Sequence, residues 1–75
     1  DDFFKKEING IVSKIEFGEK RFLIIYIENN KNEIGSYGDL FKDKIMVGDS
    51  IVKFMNSYNI KLYRRINDSI IVVYQ

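Results

Sequence analysis

Apolar residues recur along this chain in blocks of strand length, punctuated by Gly, Asn and Asp. From Ile8 to Phe17 the alternation suits a strand but changes parity partway. Phe4, Ile8 and Val12 share one parity, and Ile11, Ile15 and Phe17 share the other. A Gly supplies a bulge or sharp bend, so the switch is assigned to Asn9-Gly10. A long, bent first strand that serves both halves of a barrel would produce this pattern. Gly18-Glu19 reads as a turn and residues 21–28 as the second strand. Leu23, Ile24, Ile25, Tyr26 and Ile27 are apolar on both parities, which predicts cover on both faces.

Residues 29–33 read as a polar loop, and 34–37 as a short third strand ended by Gly38. The only helix expected lies at 39–45, with Asp39 as cap and Leu40, Phe41 and Ile45 as packing face. A helix that short is unstable alone, so packing must hold it. Gly48-Asp49 is the next turn, with Gly48 at a positive-φ position and Asp49 bonding nearby backbone N–H groups. Strands then follow at 50–55 and 60–65, and Asn67-Asp68 closes a hairpin onto 69–75. The last strand holds Ile70, Ile71, Val72, Val73 and Tyr74, again apolar on both parities. Closure into a barrel would protect such a strand from aggregation. The fold predicted is all-β: a closed or partly closed barrel of five to six strands on an OB-like plan, with an SH3-like barrel as second choice.

Seventy-five residues make one domain, 1–75, with one modest core. Ile, Lys, Asn, Phe and Tyr supply 40 of the 75 residues, whereas Ala, Pro, His, Cys and Trp are absent. An A/T-rich bacterial genome accounts for that bias, so the Asn content is not read as a ligand-binding signature. Lack of Ala leaves little room for long helices. Lack of Cys removes any disulfide framework or thiolate metal site. No segment has the length of apolar sequence that a membrane span needs. The opening Asp1-Asp2-Phe3-Phe4 lacks an initiator Met, as a mature or trimmed form would. Net charge is +1, with residues 1–50 summing to −2 and residues 51–75 to +3.

Catalytic chemistry finds few residues to use. Gly48-Asp49-Ser50 invites comparison with an esterase nucleophile block, but that Ser needs a base, normally His. Paired carboxylates would have to come from Asp39, Asp43 and Asp49 or from Glu16, Glu19, Glu28 and Glu33, most of them at turns or alternating outward with Lys. Asp39 and Asp43 alone make a poor metal site, and no phosphate cradle is present, so no metal or cofactor is expected. Asn67-Asp68-Ser69 matches a glycosylation sequon, but the turn explains those residues. The best candidate is a basic and aromatic face. Lys61, Tyr63 and Arg65 share one parity of the 60–65 strand, Arg64 lies beside them, and Lys53 sits on the preceding strand. Arg21, Phe22 and Tyr26 would join them if a barrel brought the second and fifth strands together. Single-strand nucleic-acid binders on OB folds combine such charges with stacking aromatics, although a net charge of +1 is weak for a polyanion.

The segments Asn9-Gly10-Ile11-Val12, Val47-Gly48-Asp49-Ser50-Ile51-Val52-Lys53 and 56–64 carry a resemblance. The chain resembles small uncharacterised bacterial all-β domains with an opening Gly-x-Val-like strand and a later Gly-Asp-Ser-Ile-x-Lys turn. That resemblance implies a barrel, an envelope or periplasmic setting behind a signal or membrane segment, and no known activity. The expectation is therefore a non-enzymatic binding or interaction module of the bacterial cell envelope, engaging an unknown protein or envelope ligand. The alternative is a cytoplasmic OB-type domain for single-stranded nucleic acid. In either case Lys53, Tyr63, Arg64, Arg65, Arg21 and Tyr26 are the candidate contacts. A free edge beside the short third strand would also suit β-augmentation by a client or a second copy.

Overall fold

The computed structural model describes residues 2–75. After one helical turn, α1 (Asp2–Lys5), the chain forms β1 (Ile8–Phe17), β2 (Leu23–Ile27), β3 (Asn30–Gly35), β4 (Ser50–Lys53), β5 (Lys61–Ile66) and β6 (Ser69–Tyr74). These make one antiparallel sheet ordered β3-β2-β1-β4-β5-β6. The sheet is all-β and not closed, a partly open barrel.

The long first strand works as its pattern requires. Ile8 to Ile11 pair with β4, and Val12 to Phe17 pair with β2. The parity switch is real but sits at Ser13, where the register with β2 shifts between Val12 and Lys14. Ser13 Oγ lies 3.1 Å from the Tyr26 carbonyl oxygen and 2.9 Å from that of Glu28, so its one O–H bonds across to the end of β2 beside the bulge. Gly10 serves a different end. A Cβ there would lie 2.6 Å from Ile27 Cγ2 on β2, so only glycine lets β1 approach β2 so closely where the sheet curls. Ile8, Val12 and half-buried Ile15 face the core across the bulge, while Ile11 is left outside at 62% exposure.

The core is built by inward residues of each strand. Leu23 and Ile25 of β2, Ile34 of β3, Ile51 of β4 and Leu62 of β5 are all fully buried. Removing such side chains from water supplies roughly 1.5–3 kcal/mol each. Residues 30–33, expected to be loop, are strand. A two-residue turn at Glu28-Asn29 closes the β2–β3 hairpin, with Glu28 at φ 58. The stretch reads as polar because β3 is an edge strand with one solvated face, and its inward residues are Asn32 and Ile34.

The segment 39–45 forms successive turns instead of a continuous helix. Lys42 N–H reaches Gly38 O (2.8 Å) and Ile45 N–H reaches Phe41 O (3.0 Å). Asp39 is no cap: its own N–H bonds Ser36 O, and its carboxylate pairs with Lys42. Packing sets this shape, since Phe41 and Ile45 are buried while Leu40 is 74% exposed. Phe41 joins the core cluster, its ring 5.0 Å from that of Tyr74 on β6. The loop thus packs at the Tyr74 end of β6 and leaves Ile70, Ile71 and Val72 exposed.

Gly48 adopts φ +100 as its turn requires, and an added Cβ would meet nothing within 4 Å. The cost of Gly48→Val is therefore confined to the backbone, about 1–3 kcal/mol. Chemical denaturation should show that loss, and Gly48→Asn should lose less, since Asn tolerates positive φ better. Equal stability of all three proteins would refute the assignment.

Candidate functional site

The expected contact residues separate into three places, and two of them are structural. Lys53 faces inward beside Ile8 and is fully buried. Its Nζ donates to the carbonyls of Phe4 (3.2 Å), Lys6 and Phe54 (3.1 Å) and lies 5.1 Å from the Phe3 ring centroid. Burial, and secondarily the Lys6 charge, push its pKa below the ordinary lysine value. Lys53 therefore belongs to the interior, where three carbonyls stand in for water around its ammonium.

Arg64 faces the same side as the core, alternating with outward Tyr63 and Arg65. Its Nε donates to Asp49 Oδ1 (2.8 Å), and its Nη2 donates to Asp49 Oδ2 (3.0 Å) and to Lys44 O (2.7 Å). Asp49 is 1% exposed and also accepts Met46 N–H at 2.9 Å. The Asp49 hydrogen bond raises the Arg64 pKa further above its ordinary value. Asp49 thus caps its turn as expected, and the same carboxylate ties the 44–49 segment to β5. Both residues of this bidentate pair are committed to the fold.

Arg21 and Tyr26 do not join the β5 face, because β1 and β4 lie between β2 and β5. Arg21 is exposed in the turn after β1, its guanidinium 5.0 Å from the Phe17 ring centroid. Tyr26 sits on the outer face of β2, opposite Lys14 on β1 and Lys31 on β3. Lys14 Nζ lies 5.1 Å from its ring centroid. Those lysines are paired in turn, Lys14 with Glu16 (3.3 Å) and Lys31 with Glu33 (3.5 Å). Hydrogen bonds from Tyr26 and Lys14 hold the Glu16 carboxyl below its ordinary pKa. The ladder of charges around Tyr26 is nearly neutral and gives little attraction to a polyanion.

What remains is the outer face of β1, β4, β5 and β6. Ile11 pairs with Ser50, Ser50 with Tyr63, Tyr63 with Val72, and Arg65 with Ile70, so these side chains lie on one surface. A groove of about 510 Å³ runs over it, lined by Ile11, Ser50, Tyr63, Arg65, Ile70 and the rim of Arg64. Ile11, Ile70 and Val72 are 62%, 64% and 53% exposed, a grouping that isolated surface apolar residues do not produce. Alternation placed Tyr63 and Arg65 here correctly. The apolar floor was missed, because β6 was expected to be covered.

A second missed feature holds the N-terminal turn in place. Phe3 stacks on Tyr37 (4.3 Å between centroids), Tyr37 on Tyr58 (5.3 Å), and Phe4 packs against Tyr58 (4.9 Å). These four rings come from three separate stretches of chain, so no local pattern announces them. Among the described residues no group of three or more His, Cys, Asp or Glu side chains is arranged to hold a metal ion. No helix among them is long and apolar enough to cross a membrane. No protein-family model, curated protein or solved structure matches this chain.

Proposed function

We propose that this domain is a non-enzymatic interaction module that engages another protein through the outer face of β1, β4, β5 and β6. The observation that carries this reading is the groove lined by exposed Ile11 and Ile70 with Tyr63 and Arg65, next to exposed Val72 opposite Tyr63. Aromatic and arginine side chains around an apolar centre form the composition that protein interfaces favour. Placement at a bacterial cell envelope belongs to the same proposal and rests on the resemblance described above.

The test is site-specific photo-crosslinking. The probe is p-benzoylphenylalanine in place of Ile11, compared with the same probe in place of Lys31 on the polar edge strand. Irradiation with bacterial envelope and cytosolic fractions should give a discrete protein adduct from position 11 in the envelope fraction only. Arg65→Glu should abolish it. Equal adducts from both positions, or none from position 11, would overturn the reading. Titration with a labelled oligothymidylate at low and high salt decides the nucleic-acid alternative. Tight binding with a steep salt slope that Arg65→Ala flattens would replace the protein-partner reading.

A further inference from the structure

The two outer strands of the sheet are built differently. On β3, Asn30, Lys31, Asn32 and Glu33 carry polar side chains along the edge, the usual protection against unwanted strand pairing. On β6, residues Ser69 to Tyr74 carry no charge, and Ile70, Ile71 and Val72 are all exposed. Because Asn67-Asp68 is a two-residue turn, Ser69 and Ile71 direct their N–H and C=O groups to β5, whereas Ile70 and Val72 direct theirs to the open side.

We infer that β6 is a homodimer edge, pairing antiparallel with β6 of a second copy of this chain about a two-fold axis at Ile71. In that register Ile70 of each copy exchanges both backbone hydrogen bonds with Val72 of the other, and Ile71 faces Ile71. The faces also agree, since Ile70 and Val72 both lie outward and Ile71 lies toward the core side. A register one residue away would set outward residues against inward ones.

Charge selects a second copy over an unrelated strand. Asp68 closes the β5–β6 turn, and Lys61 lies at the other end of β5, next to the Leu62–Tyr74 pair. Antiparallel pairing about Ile71 brings the Asp68 turn of each copy to the Lys61 end of the other. Two opposite-charge approaches then flank an uncharged centre, and no like charges meet across it. The dimer would extend the sheet through both copies and shield the aggregation-prone strand that an open barrel leaves uncovered. This surface is the strand edge, not the sheet face proposed above. Self-association and crosslinking to other proteins are read separately, so either proposal can fail alone.

Sedimentation equilibrium across a concentration series tests the inference. The chain should move from 8.9 kDa toward twice that mass, with no larger species. Val72→Pro removes a donor aimed at the open side while sparing the β5–β6 ladder, and should weaken self-association by about tenfold or more. Because proline next to the irregularity between Leu62 and Tyr63 threatens folding, the paired change Ile70→Lys with Val72→Lys serves as a second variant at exposed positions. Ile71→Cys should oxidise to a covalent dimer, since the centre of the two-fold register places two Ile71 positions face to face. Glu33→Cys on β3 should not. A monomer at all concentrations would overturn the inference. So would a dimer unchanged by both β6 variants, equal oxidation at positions 33 and 71, or open-ended oligomers instead of a dimer.

Discussion

Replacing Lys53 by Met lowers the stability of this domain by about 2–4 kcal/mol, because three carbonyl groups lose a charged donor and only the aliphatic stem is replaced. For a chain of this length that corresponds to a fall of roughly 10 °C or more in the melting midpoint. The loss is local first. The carbonyls of Phe4 and Lys6 are held by the ammonium, so without it the Asp2–Lys5 turn can regain hydration only by leaving the barrel. Amide exchange should quicken at Lys6, whose N–H bonds Phe3 O, and at Ser57, whose N–H bonds Phe4 O. The pH response reports the cost of burying the charge, separately from the clamp. Between the lowered native pKa and the ordinary lysine value the unfolded chain binds more protons, so stability due to Lys53 rises with pH there. Below the native value both states are protonated and the full cost of burying the charge is present. The stability difference between wild type and Lys53→Met should accordingly widen as pH rises through that window. A constant difference would refute the buried charge, and unchanged exchange at Lys6 and Ser57 would refute the clamp.

Asp49→Ala should cost about 2–4 kcal/mol, since it orphans the Met46 N–H and removes the acceptor of two charge-assisted bonds. Asp49→Asn should lose about half as much, because an amide oxygen can still accept from Met46 while the partly exposed Arg64 turns toward water. Urea denaturation of the two variants measures the ratio. Exchange at Met46 should rise in the Ala variant before global unfolding does, since that amide reports on the loop directly. If both substitutions leave stability within experimental scatter, the pair is a surface contact and the loop is held by Phe41 and Ile45 alone.

Strand periodicity was legible wherever a face is buried. The β1 span, the β5–β6 hairpin with its Asn67-Asp68 turn, and the positive φ of Gly48 all follow from local chemistry, and the structure has them. Alternation also placed Tyr63 and Arg65 on a common outer surface. It failed where side-chain type and exposure part company. Asn30 to Glu33 look like loop because their strand has an open edge. Ile70 to Val72 look like core, yet they lie at the surface because the sheet does not close.

Lys53 and Arg64 show the harder limit. In sequence each is a cation on an apolar strand, and solvent exposure is the ordinary expectation for both. Whether a cation turns inward depends on partners distant in the chain: Phe4 and Lys6 for one, Asp49 and the Lys44 carbonyl for the other. The same holds for Arg21 and Tyr26, whose separation from β5 is set by strand order and not by their own segments.

Short-range steric and hydrogen-bonding preferences act on a few neighbouring residues, and they are enough to dictate most of the strands, the turns at Gly48 and Asn67-Asp68, and a bent first strand. Strand order, the open side of the barrel and the fate of each cation depend on contacts between segments tens of residues apart. Those contacts exist only once the sheet has assembled, and so the tertiary structure alone decided that this chain presents an apolar outer face and a bare β6 edge while keeping two of its expected contact cations for itself.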